Sequence, residues 1–229
     1  MSTETRPTLL IVIASSRPGR QGDAWGAWIA ETARRHGAFR VRTVDLAELR
    51  LPFFDEPHHP RMRRYTKDHT KVWSQMVDSA DAFVFVTPEY NFSFNAVLKN
   101  ALDYLFQEWN DKAAGILSYG GASGGMRAAQ MLKMVLGALG MVVPANSVAV
   151  SGSRDLLDDR GHVSADEKLR GQADAMLTEL ARLEKALAPA RAELKASAAK
   201  AAKARDEADA KGKADKDAKD KADKDAKKG

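Results

Sequence analysis

The sequence predicts an α/β fold in which one open, five-stranded parallel sheet carries helices on both of its faces. Short runs rich in β-branched and apolar residues alternate five times with longer segments of helical periodicity, and this order is typical of parallel sheets built from crossover units. The first run, residues 9–13, is apolar at every position. Such continuity indicates a central strand that is buried on both faces.

The first half of the chain supplies three of the predicted strands. A helix is predicted over residues 23–36, because apolar residues recur there at helical spacing and Gly37 stands at the stop position. Trp25, Trp28 and Trp73 fall on helical faces among apolar residues and are predicted to belong to the core. The other elements are a strand at 39–44, a loop at 50–62, a helix at 65–79 and a strand at 82–86.

The second half repeats the alternation. After a turn at Pro88, apolar residues at i, i+3 and i+4 spacing predict a helix over residues 93–107. Ser164 and Glu167 have the spacing of a capping box and predict the start of the last helix. Between these lie a strand at 113–119, a helix at 126–139 and a fifth strand within 141–150.

The C-terminal segment has a different composition and predicts a domain boundary. Residues 190–229 contain 13 Lys and Arg and 9 Asp and Glu, so they carry most of the formal net charge of +5. Leu194 is their only large apolar residue, so a disordered chain or a solvated helix is expected. The folded domain is predicted over residues 1–189. Because acidic residues interleave with the basic ones, no nucleic-acid partner is expected.

Composition also excludes several classes of protein and site. The chain has no Cys, which excludes disulfides, thiolate metal sites and a Cys nucleophile. No apolar run approaches the roughly 18 residues that cross a membrane, and the polar N-terminus lacks a signal-peptide core. A cytoplasmic protein is therefore expected. His58 and His59 are adjacent in a loop and cannot readily share a metal ion, so no metal site is predicted.

The loop after the first strand is a candidate anion site. Ligands of open parallel sheets bind beyond the carboxyl ends of the strands, and here the chain reads Ser15-Ser-Arg-Pro-Gly-Arg-Gln-Gly22 before a helix. Helix-start amides and the Arg17 and Arg20 guanidinium groups would suit a phosphate. The alternative is a tight strand–helix turn with solvated arginines. Neither the ATP-type nor the dinucleotide glycine pattern is present.

The loops after the third and fourth strands suit a planar ring. Tyr90 and Asn91 follow Pro88 at one strand end, and an aromatic ring with an amide could contact a heterocycle, although a simple turn explains them as well. Four glycines lie between residues 120 and 125, which indicates either close approach to a ligand or a flexible loop. A flat, phosphorylated cofactor would use all three loops.

These motifs resemble those of the NAD(P)H-dependent FMN reductase family, which has a flavodoxin-like fold, a three-layer sandwich. The resemblance spans about residues 8–185, and Pro88-Glu-Tyr-Asn91 followed by Leu98-Lys-Asn-Ala-Leu-Asp103 is its most specific part. Ala14 stands where family members usually have Gly. The resemblance implies cofactor contacts in three groups: phosphate contacts by Ser15, Arg17, Arg20, Gln21 and Gly22, ring and ribityl contacts by Pro88, Glu89, Tyr90 and Asn91, and contacts at the other ring edge by Ser118, Gly120, Gly121 and Ser123.

The resemblance also implies an activity. It suggests an FMN-containing oxidoreductase that takes hydride from NADPH or NADH and reduces a free flavin, a quinone or an azo compound. The flavin carries the chemistry, so no catalytic protein residue is predicted. A homodimer or homotetramer is implied, with the helix after Pro88 as an interface element. The alternative is a flavodoxin-like electron carrier; such carriers tend to be strongly acidic, whereas this domain is close to neutral.

Overall fold

A computed structural model describes residues 6–226, with side chains described for residues 6–197 and 200. Its strands form one sheet in the order β2-β1-β3-β4-β5, and every neighbouring pair is parallel. The predicted five-stranded parallel sheet is confirmed. The strands are β1 (Thr8–Ile13), β2 (Arg40–Asp45), β3 (Ala82–Pro88), β4 (Ala113–Gly120) and β5 (Val148–Ser151).

Six α-helices are present in the described chain, and single 3-10 turns occur at Pro60–Met62 and Gln107–Trp109. The short helix α2 has no counterpart in the sequence prediction. Within residues 6–226, no helix is both long enough and apolar enough to cross a membrane. The helices are α1 (Gly22–His36), α2 (Leu46–Leu49), α3 (Asp68–Asp78), α4 (Ala96–Asp103), α5 (Met126–Ala138) and α6 (Glu167–Ala226).

Alternate residues of β1 face two separate hydrophobic cores. Leu10 and Val12 pack in a core with side chains from α3, α4 and α5. Leu9 and Ile11 pack in a second core with side chains from α1 and α6. Helices therefore cover both faces, as predicted. Trp73 is fully buried in the first core and Trp25 in the second, which confirms their predicted core positions.

Strand β2 is much more exposed than β1. Only Val44 of this strand is buried, and Arg40, Arg42 and Thr43 are exposed. The reason is its place at the edge of the sheet, where fewer neighbours cover it. The arginines still have local partners, since Arg40 Nη2 donates to Thr8 Oγ1 over 2.8 Å and Arg42 Nη1 donates to Ser79 Oγ over 3.1 Å.

Helices α4 and α6 begin later than predicted, and a side-chain cap accompanies each start. Helix α4 is shorter than residues 93–107, because Asn95 Oδ1 accepts a 2.8 Å hydrogen bond from the Leu98 amide and fixes the helix start. The prediction that Ser164 caps the last helix is wrong. Asp166 Oδ1 accepts a 2.7 Å bond from the Leu169 amide, and the helix begins at Glu167.

The chain divides into two compact units, Met1–Ala188 and Pro189–Gly229. The sheet and helices α1 to α5 lie in the first unit. In the second, helical backbone extends as far as Ala226. The boundary falls at Pro189, a residue that has no amide proton for a helical hydrogen bond.

Candidate functional site

A cleft of about 210 Å³ opens at the carboxyl edge of the sheet. The strand order reverses between β1 and β3, and ligands of such sheets bind at this switch point. The carboxyl ends of four strands, together with the loops that follow them, form its walls. The residues that line it are Ser15, Arg17, Gly19, Arg20, Gln21, Pro88, Glu89, Tyr90, Tyr119, Gly120, Ser153 and Arg154.

The loop after β1 presents polar groups to this cleft. The buried Ser15 hydroxyl lies 3.2 Å from the Tyr90 hydroxyl, across the gap between β1 and β3. Helix α1 begins after Gln21 with no side-chain cap, so its first amides are available to an acceptor such as an anion. Asp23 already engages one of these amides, since its Oδ1 accepts from the Ala24 amide at 3.0 Å.

The two arginines predicted to bind phosphate have different surroundings. Arg20 forms a two-pronged ion pair with Asp45, the last residue of β2, and also donates to the Ser15 carbonyl oxygen over 2.7 Å. Its charge is therefore neutralised within the protein, and its guanidinium fixes the loop. Arg17 is exposed, and it has no ion-pair partner among the side chains that the structure describes.

Tyr119 gives the strongest indication of a ligand. This residue is 5% exposed and lines the cleft, yet its hydroxyl makes no hydrogen bond of acceptable geometry within the described chain, and the Ser15 side chain is its nearby polar neighbour. Burial raises the pKa of this hydroxyl, so it remains a neutral donor. A Cβ at Gly22 would lie 2.9 Å from the hydroxyl oxygen, so the absence of a side chain there keeps the space beside Tyr119 open. An unpaired buried donor in a cleft fits a bound acceptor.

The Glu89 side chain joins two loops rather than standing free in the cleft. Its carboxylate accepts from Ser123 Oγ at 3.0 Å and from the Arg127 amide at 3.2 Å, and it forms an ion pair with the Arg127 guanidinium. Burial alone would raise the pKa of Glu89, but these hydrogen bonds outweigh it and hold the pKa below its usual value. Glu89 thus ties the loop after β3 to the start of α5.

The segment after Glu89 is a tight turn with unusual backbone. Two hydrogen bonds join Tyr90 and Ser93, from the Tyr90 amide over 2.8 Å and from the Ser93 amide over 3.0 Å. Asn91 and Phe92 occupy the left-handed region at φ 49° and 71°. Phe92 is 65% exposed, and the Arg127 guanidinium carbon lies 3.8 Å from its ring centroid. The turn therefore holds a bulky apolar ring at the surface in a conformation that such residues seldom adopt.

In the glycine-rich loop after β4, the backbone at position 125 can only be occupied by glycine without strain. This residue has φ 80°, and a Cβ there would lie 2.7 Å from the Tyr119 amide nitrogen. The buried Ser118 hydroxyl donates to the Gly124 carbonyl oxygen over 3.0 Å and so holds the loop from beneath.

The structure brings most of the predicted site residues together. Those that line the cleft are Ser15, Arg17, Arg20, Gln21, Pro88, Glu89, Tyr90 and Gly120. Five predicted residues do not line the cleft: Gly22, Asn91, Ser118, Gly121 and Ser123. Of these, Ser118 is bonded to the Gly124 carbonyl oxygen and Ser123 to Glu89. Within the described residues, no three His, Asp or Glu side chains are grouped to hold a metal ion.

Sequence reasoning missed four of the lining residues. Tyr119 directly precedes the glycine-rich loop at a strand end, and that position could have identified it. Ser153 and Arg154 follow β5, whose end the sequence did not locate and whose loop carries no phosphate-type pattern. Gly19 lies within the first predicted loop, where its φ of 67° accounts for the glycine.

Comparison with known proteins agrees with this geometry. The family model for NADPH-dependent FMN reductase matches residues 7–155, which include β1 to β5 and the loops around the cleft. This chain belongs to the NADPH-dependent FMN reductase family. The resemblance stated from the sequence is confirmed, and with it the oxidoreductase class and FMN as the cofactor of the family.

Two relatives and one solved structure show how similar this FMN reductase family member is to known proteins. An NAD(P)H-dependent FMN reductase of Schizosaccharomyces pombe is 43% identical over 151 residues, which cover 65% of this chain and 75% of that protein. An FMN-dependent NADPH-azoreductase of Staphylococcus saprophyticus is 27% identical over 169 residues, covering 72% and 88% of the two chains. A flavoenzyme NAD(P)H:(acceptor) oxidoreductase from Paracoccus denitrificans shares the fold, with TM-score 0.64, 19% identity and coverage of 78% and 97%.

Proposed function

We propose that this protein is an NAD(P)H-dependent oxidoreductase that holds FMN in the cleft at the carboxyl edge of its sheet. The observation that carries the proposal is the buried, unpaired Tyr119 hydroxyl at the centre of four strand-end loops. Family membership supports the cofactor and the class of reaction. The cleft volume of about 210 Å³ is smaller than the roughly 300–1,000 Å³ of a typical small-molecule pocket. A molecule as large as FMN would therefore extend beyond it.

The phosphate end of the cofactor matches the first loop. The uncapped start of α1 directs amides toward an acceptor, and Arg17 supplies an unpaired positive charge. Ser15 and Tyr119 add hydroxyl donors beside Gly22 at the cleft. Arg20 acts indirectly, because its bonds to Asp45 and to the Ser15 carbonyl hold this loop in place.

The ring end of the cofactor matches the loops after β3 and β4. Pro88, Tyr90 and Gly120 line this part of the cleft, and Glu89 fixes the two loops to each other through Ser123 and Arg127. FMN supplies the redox chemistry when bound, since it accepts hydride from NAD(P)H and passes electrons to a second substrate. The protein's part is to bind and orient it.

The acceptor we propose is a small aromatic molecule: a free flavin, a quinone or an azo compound. The azoreductase relative supports an azo acceptor. Phe92 supports an aromatic one, because its 65% exposed apolar ring stands two residues from Tyr90, which lines the cleft.

The test is flavin content followed by turnover. The purified protein is reconstituted with FMN, and NADPH and NADH oxidation is followed with riboflavin, a quinone and an azo dye. Turnover well above the background of free FMN supports an enzyme. If FMN binds but no acceptor is reduced above background, the alternative of a flavodoxin-like electron carrier is favoured. If no flavin binds, the site proposal is contradicted.

We also propose that the catalytic domain lies within residues 1–189 and that it forms a homodimer or homotetramer with α4 in the interface. The change in composition at residue 190 and the compact unit Met1–Ala188 support a dispensable C-terminal segment. Deletion of residues 190–229 should leave flavin affinity and turnover unchanged. Light scattering coupled to size exclusion would give the oligomeric state, and a monomer at micromolar concentration would contradict the second part.

A further inference from the structure

The loop after β5 forms a wall of the cleft that neither the sequence motifs nor the family resemblance identifies. Ser153 and Arg154 both line the cleft. Ser153 is 5% exposed, and its hydroxyl donates a 2.7 Å hydrogen bond to Gln21 Oε1, immediately before α1. The loop is therefore joined to the predicted phosphate loop at the residue next to Arg154.

A second set of contacts fixes this loop to the glycine-rich loop. Ser151 Oγ donates to the Ala122 carbonyl oxygen over 2.7 Å. A turn follows, in which the Asp155 amide donates to the Gly152 carbonyl oxygen over 2.9 Å and Gly152 has φ 58°. Arg154 thus projects from backbone that is held on both sides, which reduces the entropy lost when its side chain binds a ligand.

The charge at the cleft makes Arg154 significant. Three arginines line it, but Arg20 is neutralised by Asp45. Arg17 and Arg154 are exposed, and neither has an ion-pair partner among the described side chains. A phosphate monoester carries between one and two negative charges near neutral pH, so one arginine alone would leave part of that charge unmatched.

We propose that Arg154 is a second phosphate-binding residue of the cleft and that, with Arg17, it makes the site specific for a phosphorylated flavin. The inference rests on the proposed function, because it assigns a residue of the same site. The guanidinium groups of these two cleft residues bind the phosphate that distinguishes FMN from riboflavin, through charge-assisted hydrogen bonds. The flavin ring lies outside their contacts, so riboflavin affinity does not depend on Arg154.

The experiment compares two flavins on the full-length chain. Wild type and Arg154→Gln are stripped of flavin, and dissociation constants for FMN and riboflavin are measured from the quenching of flavin fluorescence at low and high salt. We expect Arg154→Gln to bind FMN about tenfold more weakly, the loss of one charge-assisted hydrogen bond, while riboflavin binding is unchanged. Arg17→Gln should show the same selective loss.

Arg160→Gln is the matched control, because Arg160 is an exposed arginine in the same loop but does not line the cleft. It should bind both flavins as wild type does. An unchanged FMN affinity in Arg154→Gln overturns the assignment, as does an equal loss for FMN and riboflavin. Unchanged FMN affinity with a raised KM for NADPH but not for NADH would also overturn it, by assigning the residue to the dinucleotide phosphate. Wild type that binds neither flavin instead contradicts the proposed function itself.

Discussion

The Arg20 guanidinium is paired with the Asp45 carboxylate, so the last residue of β2 holds the loop that follows β1. Arg20 Nη1 donates to Asp45 Oδ1 over 2.7 Å, and the Arg20 and Asp45 side chains are only 19% and 12% exposed. Asp45 Oδ1 also accepts from the Ala47 amide at 2.9 Å and so caps α2. The pair is a support for the phosphate loop.

Asp45→Asn should therefore weaken the site from a distance. The asparagine oxygen can still cap α2, but the ion pair with Arg20 is lost and a half-buried guanidinium is left without its carboxylate. We expect a loss of about 1–2 kcal/mol in the free energy of unfolding, measured with urea, and weaker FMN binding.

A double-mutant cycle identifies the cause. Arg20→Gln combined with Asp45→Asn should lose less than the sum of the single changes, because the two residues act as a pair. Additive losses would show that Arg20 acts independently of Asp45, as a direct phosphate ligand would.

Acid should destabilise the protein in part through Glu56. This buried carboxylate accepts from the Thr66 and Lys67 amides at 2.8 and 2.9 Å, just before α3. Burial alone would raise the pKa of Glu56, but these bonds lower it below its usual value. Because the folded pKa lies below the unfolded value of about 4.3, the stabilisation is complete above that pH and is lost as pH falls through the folded pKa.

Glu56→Gln should lower the free energy of unfolding by about 1–3 kcal/mol at pH 7. The difference from wild type should shrink as pH falls below about 4, in urea titrations from pH 7 to 3. Glu31→Gln, on the exposed face of α1, should change stability by no more than about 0.5 kcal/mol. A Glu56→Gln difference that stays constant with pH would contradict this account of the carboxylate.

Gly22→Ala should reduce flavin affinity. A Cβ at this position would lie 2.9 Å from Tyr119 Oη and 3.3 Å from Ser15 Cβ, which displaces both donors. Overpacking of this kind typically has an effect of about 1–3 kcal/mol, and fluorescence titration with FMN would detect it.

Gly137→Ala provides the control, because no atom lies within 4 Å of a Cβ there. At the second-last residue of α5 it should raise stability by no more than about 0.5–1 kcal/mol, without changing flavin affinity. An unchanged Kd for FMN in Gly22→Ala would show that the space beside Tyr119 is not used.

Phe92→Ala should impair the use of aromatic acceptors. Removing this exposed ring takes away a flat apolar surface beside Tyr90, so KM for a quinone or an azo dye should rise about two- to tenfold. Turnover with ferricyanide, which has no aromatic ring, should not change. Phe53→Ala, which removes a ring that is 86% exposed and outside the cleft, should have no effect on either acceptor. Equal effects on dye and ferricyanide would indicate a general disturbance of the site.

The sequence predicts the sheet and most cleft residues because both depend on local patterns. The apolar run at 9–13 specifies a central strand wherever it lies in the sheet, and parallel strands bring their carboxyl ends to one edge. Ser15 follows one such end, Pro88 and Gly120 are the last residues of two others, and all three line the cleft.

The remaining features depend on partners that are distant in the chain. Nothing near Arg20 indicates that Asp45 neutralises it, because the two residues meet only through the pairing of β1 with β2. Glu89 is likewise engaged by Arg127. Ser153 reaches Gln21 over 132 positions of sequence. Such long-range contacts decide whether a charged group binds a ligand or supports the loop that does.

Strand β2 has a consequence for self-association. It ends the sheet with a free row of backbone donors and acceptors, which is where another chain could add a strand and begin to aggregate. Its exposed arginines, Arg40 and Arg42, which bond to Thr8 and Ser79, give this edge strand positive charge, and two copies would repel each other there. At the opposite edge β5 offers only four residues. Sheet-to-sheet extension is thereby discouraged at both edges.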